Sequence, residues 1–250
     1  QFIKKYKINV LYHSFFCDVI KKKNVLEGII IQNKSGRQII QGKVFIDCTG
    51  DGDVAYSAGV PFEIGRNKDN SCQPLSFHFQ VANVDVKKFA DYISEQEKSG
   101  LRCIWRNGVD SGVKGIKIGE KEKSYIRLVG SMPKKEIEEG NIPSEYSHFT
   151  IESIHEGVVI VGHPHVYEKN ATKTEEITKA NIEGREKVWK LFGYIKKYIP
   201  GFEKSFIIQT PPFIGVRESR RIKGEYILEL NDILNAQKNQ RLYCNGSFSY

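Results

Sequence analysis

The sequence predicts an α/β protein that has an α+β arrangement of strands and helices over these residues, and three observations carry that prediction. Short apolar runs separated by turn residues fill the first part of the chain, a pattern typical of strands. The run at 43–47 is apolar at nearly every position, which suits a strand buried on both faces. Residues 172–198 place Val188, Leu191 and Ile195 on one helical face and end before Pro200, which indicates a long amphipathic helix.

The first part of the chain is expected to begin with a three-stranded meander. A Lys23-Asn24 turn joins its first two strands, and the turn residues at 33–36 join the second strand to the third. The predicted elements are strands at 16–22, 25–31, 38–41 and 43–47, followed by a short helix at 54–58. Gly59 and Pro61 end that helix.

The second part of the chain is expected to mix strands and helices. Asp85 is predicted to cap a helix that Gly100 ends. Thr172 and Glu175 fit a capping box at the start of the long helix. The remaining predicted elements are strands at 75–81, 125–129 and 156–161, two short strands after the long helix, and a last helix near 232–236.

Composition excludes several classes of protein. The net charge of +8 comes from lysines scattered beside turns and helix ends, which favours a solvated surface over a nucleic-acid site. No apolar run is long enough for a transmembrane helix. The five cysteines form no Cys-x-x-Cys pair, so they favour a reducing compartment, by default the cytoplasm, over disulfides or zinc. A start at Gln1 and an abrupt stop at Tyr250 are typical of the interior of a longer protein.

A glycine-rich loop follows the predicted strand at 43–47. Gly50-x-Gly52-x-x-Ala55 superficially matches the loops whose backbone amides bind a dinucleotide pyrophosphate at a helix N-terminus. Asp51 and Asp53 would repel that pyrophosphate. We therefore favour a tight turn, capped by one of these carboxylates, that lies against a ligand held mainly by other residues. A capped turn without any ligand is the alternative.

Two sets of residues carry a resemblance to a known family. They are Lys43-Val44-Phe45-Ile46-Asp47-Cys48-Thr49-Gly50-Asp51-Gly52-Asp53-Val54-Ala55 with Ala58-Gly59-Val60-Pro61-Phe62, and, upstream, His13-Ser14-Phe15-Phe16 with Asn24-Val25-Leu26-Glu27-Gly28. The first set resembles the second flavin-contacting motif of FAD-dependent oxidoreductases in the fumarate-reductase-like superfamily, with Cys48 in place of the usual alanine. The second set is similar to the β-meander whose first strand touches the adenine through its backbone.

Two further motifs are similar to one branch of that superfamily. They are Pro200-Gly201-Phe202-Glu203 and Gly215-Val216-Arg217-Glu218-Ser219-Arg220-Arg221-Ile222-x-Gly224-Glu225-Tyr226. The branch consists of bacterial FAD-dependent oxidoreductases of generally unassigned substrate, and the resemblance extends over nearly the whole chain, faintly at 85–150. Its members carry a GxGxxG βαβ unit before the meander and a C-terminal segment that returns to the flavin domain. Neither is found in this sequence.

The resemblance implies a domain organisation and a cofactor. Residues 1–70 are expected to form part of a Rossmann-like FAD-binding domain that includes the β-meander. Residues 71–250 are expected to form most of a substrate or cap domain of mixed sheet and helices. The cofactor of the intact protein is expected to be FAD, with weak or absent binding to this stretch alone. The implied FAD contacts are Phe16, Thr49, Gly50, Asp51 and Gly52.

The arginine motif, Arg217, Arg220 and Arg221, is the most specific element of the resemblance. Arg217 and Arg221 share a side on either a strand or a helix, so they concentrate charge suited to a carboxylate or phosphate. From the residues alone, an ion-pair network with Glu218 and Glu225 is equally supported. The resemblance favours substrate binding by all three arginines.

The histidines give weaker signals. His163-Pro164-His165 lacks a third ligand at a typical spacing, so no metal site is predicted, and a surface loop or a substrate contact is favoured. His78 is expected to be a partly buried strand residue, and Gln73-Pro74 is loosely similar to a segment near the flavin ring. No catalytic residue is assigned.

Two functions from different classes follow. The first is a redox enzyme that transfers a hydride between a small, anionic substrate and FAD, with the positive groups near the substrate stabilising developing charge. The alternative is a cofactor-free binding module that keeps the remnant of the fold. The sequence predicts no nucleic-acid partner and no membrane span, and leaves the oligomeric state open.

Overall fold

The computed structural model describes residues 2–98, 104–107, 116–118, 121–123, 125–155, 157–224, 226–227 and 230–234. The chain forms two compact units. Unit 1 comprises Gln1–Asn70 and Glu218–Tyr250, and unit 2 comprises Ser71–Arg217. The expected domains, 1–70 and 71–250, share the break after residue 70. In the structure, however, the chain from Glu218 onward belongs to unit 1.

Unit 1 begins with a short helix and a three-stranded antiparallel meander. These elements are α1 (Phe2–Lys5), β1 (Phe15–Lys22), β2 (Val25–Asn33) and β3 (Gly36–Gln41), with the strand order β1-β2-β3. Lys23 and Gly36 have positive φ values of 54° and 98° at the two turns, as tight hairpin connections require. The predicted meander is confirmed.

The predicted buried strand at 43–47 is wrong. These residues have no regular secondary structure, and Val44 and Ile46 are 80% and 84% exposed. A strand with two apolar faces needs a neighbour on each side, and none of the strands in the described ranges pairs with this segment. The chain continues into α2 (Asp53–Ser57), which confirms the predicted short helix, and β4 (Phe62–Ile64).

Unit 2 is built on a six-stranded sheet with the order β12-β5-β11-β10-β9-β6. Its elements are β5 (Leu75–Ala82), α3 (Val86–Lys98), β6 (Ile104–Asn107), β7 (Ile116–Ile118), β8 (Lys121–Lys123), β9 (Tyr125–Ser131), α4 (Lys134–Glu138), a 3-10 turn (Ser144–Tyr146), β10 (His148–His155), β11 (Val158–Val166), α5 (Thr174–Tyr198) and β12 (Phe206–Gln209). Every strand pair in the described part of the chain is antiparallel. The α+β fold class is therefore confirmed.

The core of unit 2 lies between β5 and α5. Alternate residues of β5, including Phe77 and Phe79, are fully buried, as the period of a half-buried strand requires. On α5, the predicted apolar face is confirmed, because Val188, Leu191 and Ile195 are fully buried. Gly184 permits the close approach of the two elements, since a Cβ there would lie 2.4 Å from the Phe77 ring.

The predicted helix ends are confirmed only in part. The Asp85 cap is confirmed, because the carboxylate Oδ1 accepts a hydrogen bond from Lys88 N at 3.0 Å. Gly100 lies outside the described residues. The Thr172–Glu175 capping box is wrong: α5 begins at Thr174, and the Thr172 hydroxyl donates to Asn170 instead. Local hydrogen bonds of Asn and Thr side chains compete with helix capping in this way.

After unit 2, the chain forms β13 (Arg220–Ile222) and α6 (Leu230–Leu234). β13 pairs antiparallel with β4, which anchors the returning segment to unit 1. The predicted last helix near 232–236 begins earlier than expected. Among the helices described, none combines the length and the apolar character needed to cross a membrane.

Candidate functional site

Asp47 organises the glycine-rich loop of unit 1. Its Oδ1 accepts hydrogen bonds from the backbone N and hydroxyl of Thr49, at 3.0 and 2.7 Å, and its Oδ2 accepts from Ala55 N at 2.9 Å. The Thr49 hydroxyl in turn accepts from Asp53 N at 2.9 Å. Burial raises the pKa of Asp47, but these hydrogen bonds outweigh burial and lower it below its ordinary value. The first turn of α2 is thus capped from within unit 1.

The two glycines of the loop have different constraints. Gly50 has φ 86°, and a Cβ there would meet nothing within 4 Å, so the loop is open on that side. Gly52 has φ 65°, and a Cβ there would come within 2.9 Å of the Ile222 side chain. Gly52 is therefore required by backbone conformation and by the packing of β13.

Arg220 and Ser219 bind the acidic residues of the same loop. The Ser219 hydroxyl donates to Asp51 Oδ1 at 2.5 Å. Arg220 Nη1 donates to Asp51 O at 3.1 Å and to Asp53 Oδ1 at 2.8 Å. The Arg220 side chain is only 11% exposed, and its guanidinium lies 4.2 Å from the Tyr56 ring centroid. Arg220 therefore holds the loop in place.

Arg221 belongs to a second set of ion pairs in unit 1. It contacts the Glu218 carboxylate, lies 3.8 Å from Glu63, and donates to Gly65 O at 2.5 Å. The Glu218 part of the ion-pair alternative is thus observed, whereas Glu225 lies outside the described residues. The structure places both arginines in contacts within unit 1.

Phe16 lies half-buried in β1, opposite Ile31 of β2 and next to a register shift. α2 packs against β1, and Lys21 Nζ donates to Ala58 O at 2.7 Å. Thr49, Gly50, Asp51 and Gly52 also belong to unit 1, so all five residues predicted to contact the cofactor are in the same unit.

Arg217 has a different environment from the other two arginines. It is the last residue of unit 2, and its Nη2 lies 2.9 Å from His165 Nε2 and 3.3 Å from Ser76 Oγ. No carboxylate of the described residues lies within ion-pair distance of its guanidinium. The predicted cluster of three arginines is thus divided between the two units.

Arg217 adjoins a histidine cluster, which we define as His78, His148, His163 and His165. The ring centroids of His163 and His165 are 4.1 Å apart, and those of His148 and His163 are 4.7 Å apart. His78 pairs with Gly162 across β5 and β11. These are four of the six histidines in the sequence.

The backbone of β11 places these rings together. The pairing of β11 with β5 shifts register between Gly162 and His165, and such a bulge changes the direction of side chains. His163 has φ 94°, a conformation that costs a non-glycine residue about 1–3 kcal/mol. Gly162 is also constrained, because a Cβ there would lie 2.1 Å from Thr150 Oγ1. Strain of this kind is common at functional sites.

The hydrogen-bond partners define the tautomers of His163 and His165. His163 Nδ1 lies 2.9 Å from Gly162 O, which can only accept, so Nδ1 carries the hydrogen. His163 Nε2 is then an acceptor, and it is buried with no hydrogen-bond partner among the described residues. His165 Nε2 faces a guanidinium, which can only donate, so it is also an acceptor.

Both rings are neutral at neutral pH. Burial, followed by the neighbouring His165 and His148, lowers the pKa of His163 to about 4. Burial, followed by Arg217, lowers the pKa of His165 to about 4. Lys187 adds to this effect on His165, although its Nζ also pairs with Glu145 and Glu183 at 2.9 and 3.2 Å. The site therefore combines one cation with two neutral acceptor nitrogens.

The sequence prediction found only part of this site. It identified His163, His165 and Arg217 separately, placed His163 in a surface loop or substrate contact, and predicted no metal. His163 is in fact buried in β11, and the described residues contain no metal-binding group of three or more ligands. His78 is exposed on β5, not partly buried. His148 was missed because β10 was not predicted; the register of the β10–β11 hairpin would have located it.

These features define an α+β protein in which the buried His163 and the half-buried His165 lie beside an arginine that has no carboxylate partner in the described part of the chain. The sequence profile of the FAD dependent oxidoreductase family matches residues 1–247, and the chain belongs to that family. The cofactor of the family is FAD, as the sequence predicted. No curated protein matches the chain.

One solved structure is similar, a triple mutant of the flavin-dependent brominase Bmp2. It shares 12% sequence identity with this chain, with a TM-score of 0.42. The match covers 84% of this chain and 40% of the brominase, so the chain spans less than half the length of that protein.

The loop of unit 1 fits one kind of contact with FAD and not another. Its open side at Gly50 leaves room for a ligand against the backbone. The diphosphate does not fit at α2, because this five-residue helix has its first-turn amides bonded to Asp47 and Thr49. The described residues of unit 1 therefore leave the backbone accessible at Gly50, whereas the first-turn amides of α2 are not available for an anion.

Proposed function

We propose that the whole protein transfers a hydride between a small, anionic substrate and FAD, and that unit 2 binds the substrate. One observation carries the proposal: Arg217 has no carboxylate partner among the residues that the structure describes, and its Nη2 lies 2.9 Å from Nε2 of the neutral His165 ring. A guanidinium binds carboxylate oxygens with paired hydrogen bonds. Positive charge at that place would also stabilise negative charge that develops during the reaction.

The contacts of the three arginines favour unequal roles. Arg220 and Arg221 are engaged by Asp53, Glu218 and Glu63, whereas Arg217 is available for a ligand. Binding of substrate by all three remains a prediction, and we propose Arg217 as the principal ligand. Phe16, Thr49, Gly50, Asp51 and Gly52 are proposed as FAD contacts, with the open backbone at Gly50 in support.

The test uses the full-length protein loaded with FAD. Arg217→Gln is expected to raise the KM for the substrate by about 10- to 100-fold, while thermal stability is unchanged. Arg66→Gln is the matched control, because Arg66 is an exposed arginine of unit 1 paired with Asp69. Flavin reduction under anaerobic conditions measures both variants. Equal kinetics in Arg217→Gln and the unsubstituted protein would exclude Arg217 as a substrate ligand.

A cofactor-free binding module is the second candidate, and the capped N-terminus of α2 favours it. Titration of the full-length protein with FAD separates the two candidates. Saturable binding of one FAD per chain supports the enzyme, and no binding supports the module. The free thiols of Cys17 and Cys48 support a cytoplasmic location for either candidate.

A further inference from the structure

The histidine cluster and Arg217 have complementary hydrogen-bonding requirements. Arg217 has hydrogens to donate and a positive charge without a carboxylate partner among the described residues. His163 Nε2 is an acceptor that receives no hydrogen bond from the described residues. The His163 residue is only 9% exposed. A buried acceptor without a donor costs about 1–3 kcal/mol. A ligand that satisfies both groups must carry an anionic oxygen and a separate hydrogen-bond donor.

We propose that this site binds a 2-hydroxycarboxylate, with its carboxylate at Arg217 and its hydroxyl donating to His163 Nε2. The inference rests on the proposed function, because it takes this cluster as the substrate site. The carboxylate and the hydroxyl of such a ligand are on adjacent carbons. Arg217 contacts His165 at 2.9 Å, and the ring centroids of His165 and His163 are 4.1 Å apart.

The charge of the site selects a hydroxyl over an ammonium group as the donor. Both rings lie in a field of positive charge, since Arg217 lowers the pKa of each of them. No carboxylate of the described residues pairs with either ring, and the nearby Lys187 holds Glu145 and Glu183. A 2-aminocarboxylate would bring a second cation to Arg217 with no anion to balance it. A neutral hydroxyl has no such cost.

Most of the residues around the proposed site are accessible to solvent. Arg217, His148 and His78 are exposed, and His165 is half-buried. The rings of His148 and His165 lie next to His163, so the hydroxyl must pass between them to reach the buried nitrogen. Arg217 has five N–H donors, so it can bind the carboxylate while His165 Nε2 keeps its hydrogen bond and the hydroxyl donates to His163 Nε2.

The test compares three small probes of nearly equal size: glycolate, acetate and glycine. Isothermal titration calorimetry of the full chain at neutral pH is expected to show glycolate binding about tenfold more tightly than acetate, because only glycolate donates to the buried acceptor. Glycine is expected to bind more weakly than acetate. Isotope-labelled histidine NMR provides a second measurement, in which glycolate, and not acetate, shifts the resonance of the acceptor nitrogen of His163.

Substitutions test the contacts of the carboxylate and of the hydroxyl separately. Arg217→Gln is expected to weaken glycolate and acetate equally, by about tenfold or more. His163→Phe is expected to remove the preference for glycolate, and His163→Gln, whose amide oxygen can accept near the Nε2 position, is expected to restore part of it. His13→Gln, in unit 1, is the control and should change nothing. His163→Gln also keeps the test valid if the phenylalanine variant does not fold.

The outcomes distinguish this inference from the proposed function. Equal affinity for glycolate and acetate, with both dependent on Arg217, would overturn the hydroxycarboxylate and leave an anionic substrate. Tighter binding of glycine than of glycolate would overturn the choice of a hydroxyl. Failure of all three probes to bind would overturn the site itself, whereas the FAD titration and flavin reduction test the redox function independently.

Discussion

The two units of the molecule differ in how they bury apolar side chains. Unit 2 has a continuous core around β5 and α5 in which Phe77, Phe79 and Leu191 are fully buried. In unit 1, Ile31 is the one buried large hydrophobic residue among those described, while Val44 and Ile46 are at least 80% exposed. Both units have strand-like apolar sequences. An apolar strand pattern therefore predicts side chains that are stable only when other residues bury them. The described residues bury such side chains in unit 2 but leave most of them exposed in unit 1.

The largest effect that tests this comparison is expected from Phe77→Ala. Phe77 is fully buried against Gly184 of α5, so its truncation should lower the free energy of unfolding by about 3–5 kcal/mol. Val44→Ala is the matched control in unit 1 and should change it by less than about 0.5 kcal/mol, because Val44 is 80% exposed. Urea unfolding curves measure both. A loss of stability in Val44→Ala similar to that in Phe77→Ala would show that residues 43–47 are covered after all.

Much of the fold of unit 2 could be predicted because the spacing of apolar residues within α5 and β5 indicates which side chains each element buries. The spacing of Val188, Leu191 and Ile195 identified α5, and the strand-like run at 75–81 identified β5. The strand at 43–47 could not be predicted correctly, because its burial depends on neighbouring strands that local sequence does not report. β10 was missed for a similar reason: its polar residues and His148 weaken the strand pattern, and its pairing with β9 and β11 creates the strand.

The candidate site was predicted in parts. The sequence identified Arg217 and the His163-x-His165 pair, since both stand in unusual local contexts. It could not show that Arg217 separates from Arg220 and Arg221, because the unit boundary falls directly after Arg217. The tautomers of the two rings depend on Gly162 O and on the Arg217 guanidinium. Such long-range contacts are a property of the folded chain.

The arginines provide the second test of the comparison between units. Arg220→Ala should lower the stability of unit 1 by about 2 kcal/mol, because it leaves Asp53 and the half-buried Asp51 carbonyl without their donor. Arg217→Ala should lower the stability of unit 2 by less than about 1 kcal/mol, because its partners Ser76 and His165 are neutral and its own side chain is exposed. Hydrogen exchange of peptides from each unit measures the two effects separately. Equal losses would contradict the assignment of different roles to the two arginines.

The smallest expected effect is the different response of the two units to acid. The pKa values of His163 and His165 are about 4 in the folded protein, against an ordinary value of 6.5 in the unfolded chain. Between these pH values the unfolded chain binds more protons than the folded chain. The free energy of unfolding of unit 2 is therefore highest above pH 6.5 and decreases as the pH falls towards 4. After allowance for the half-exposed His165 ring, the loss from about pH 7 to about pH 5 is on the order of 1 kcal/mol.

Unit 1 should respond to acid in a lower range. The hydrogen bonds to Asp47 lower its pKa below the ordinary 3.8, so its contribution is present above that value and is lost only as the pH falls further. Hydrogen exchange at about pH 5 should therefore show weakened protection in unit 2, with little change in unit 1. The His163→Asn, His165→Gln double variant should remove the mild-acid loss, because neither amide takes up a proton in this range. A mild-acid loss that persists in this variant would assign the effect to other groups and contradict the neutral state of the histidine pair.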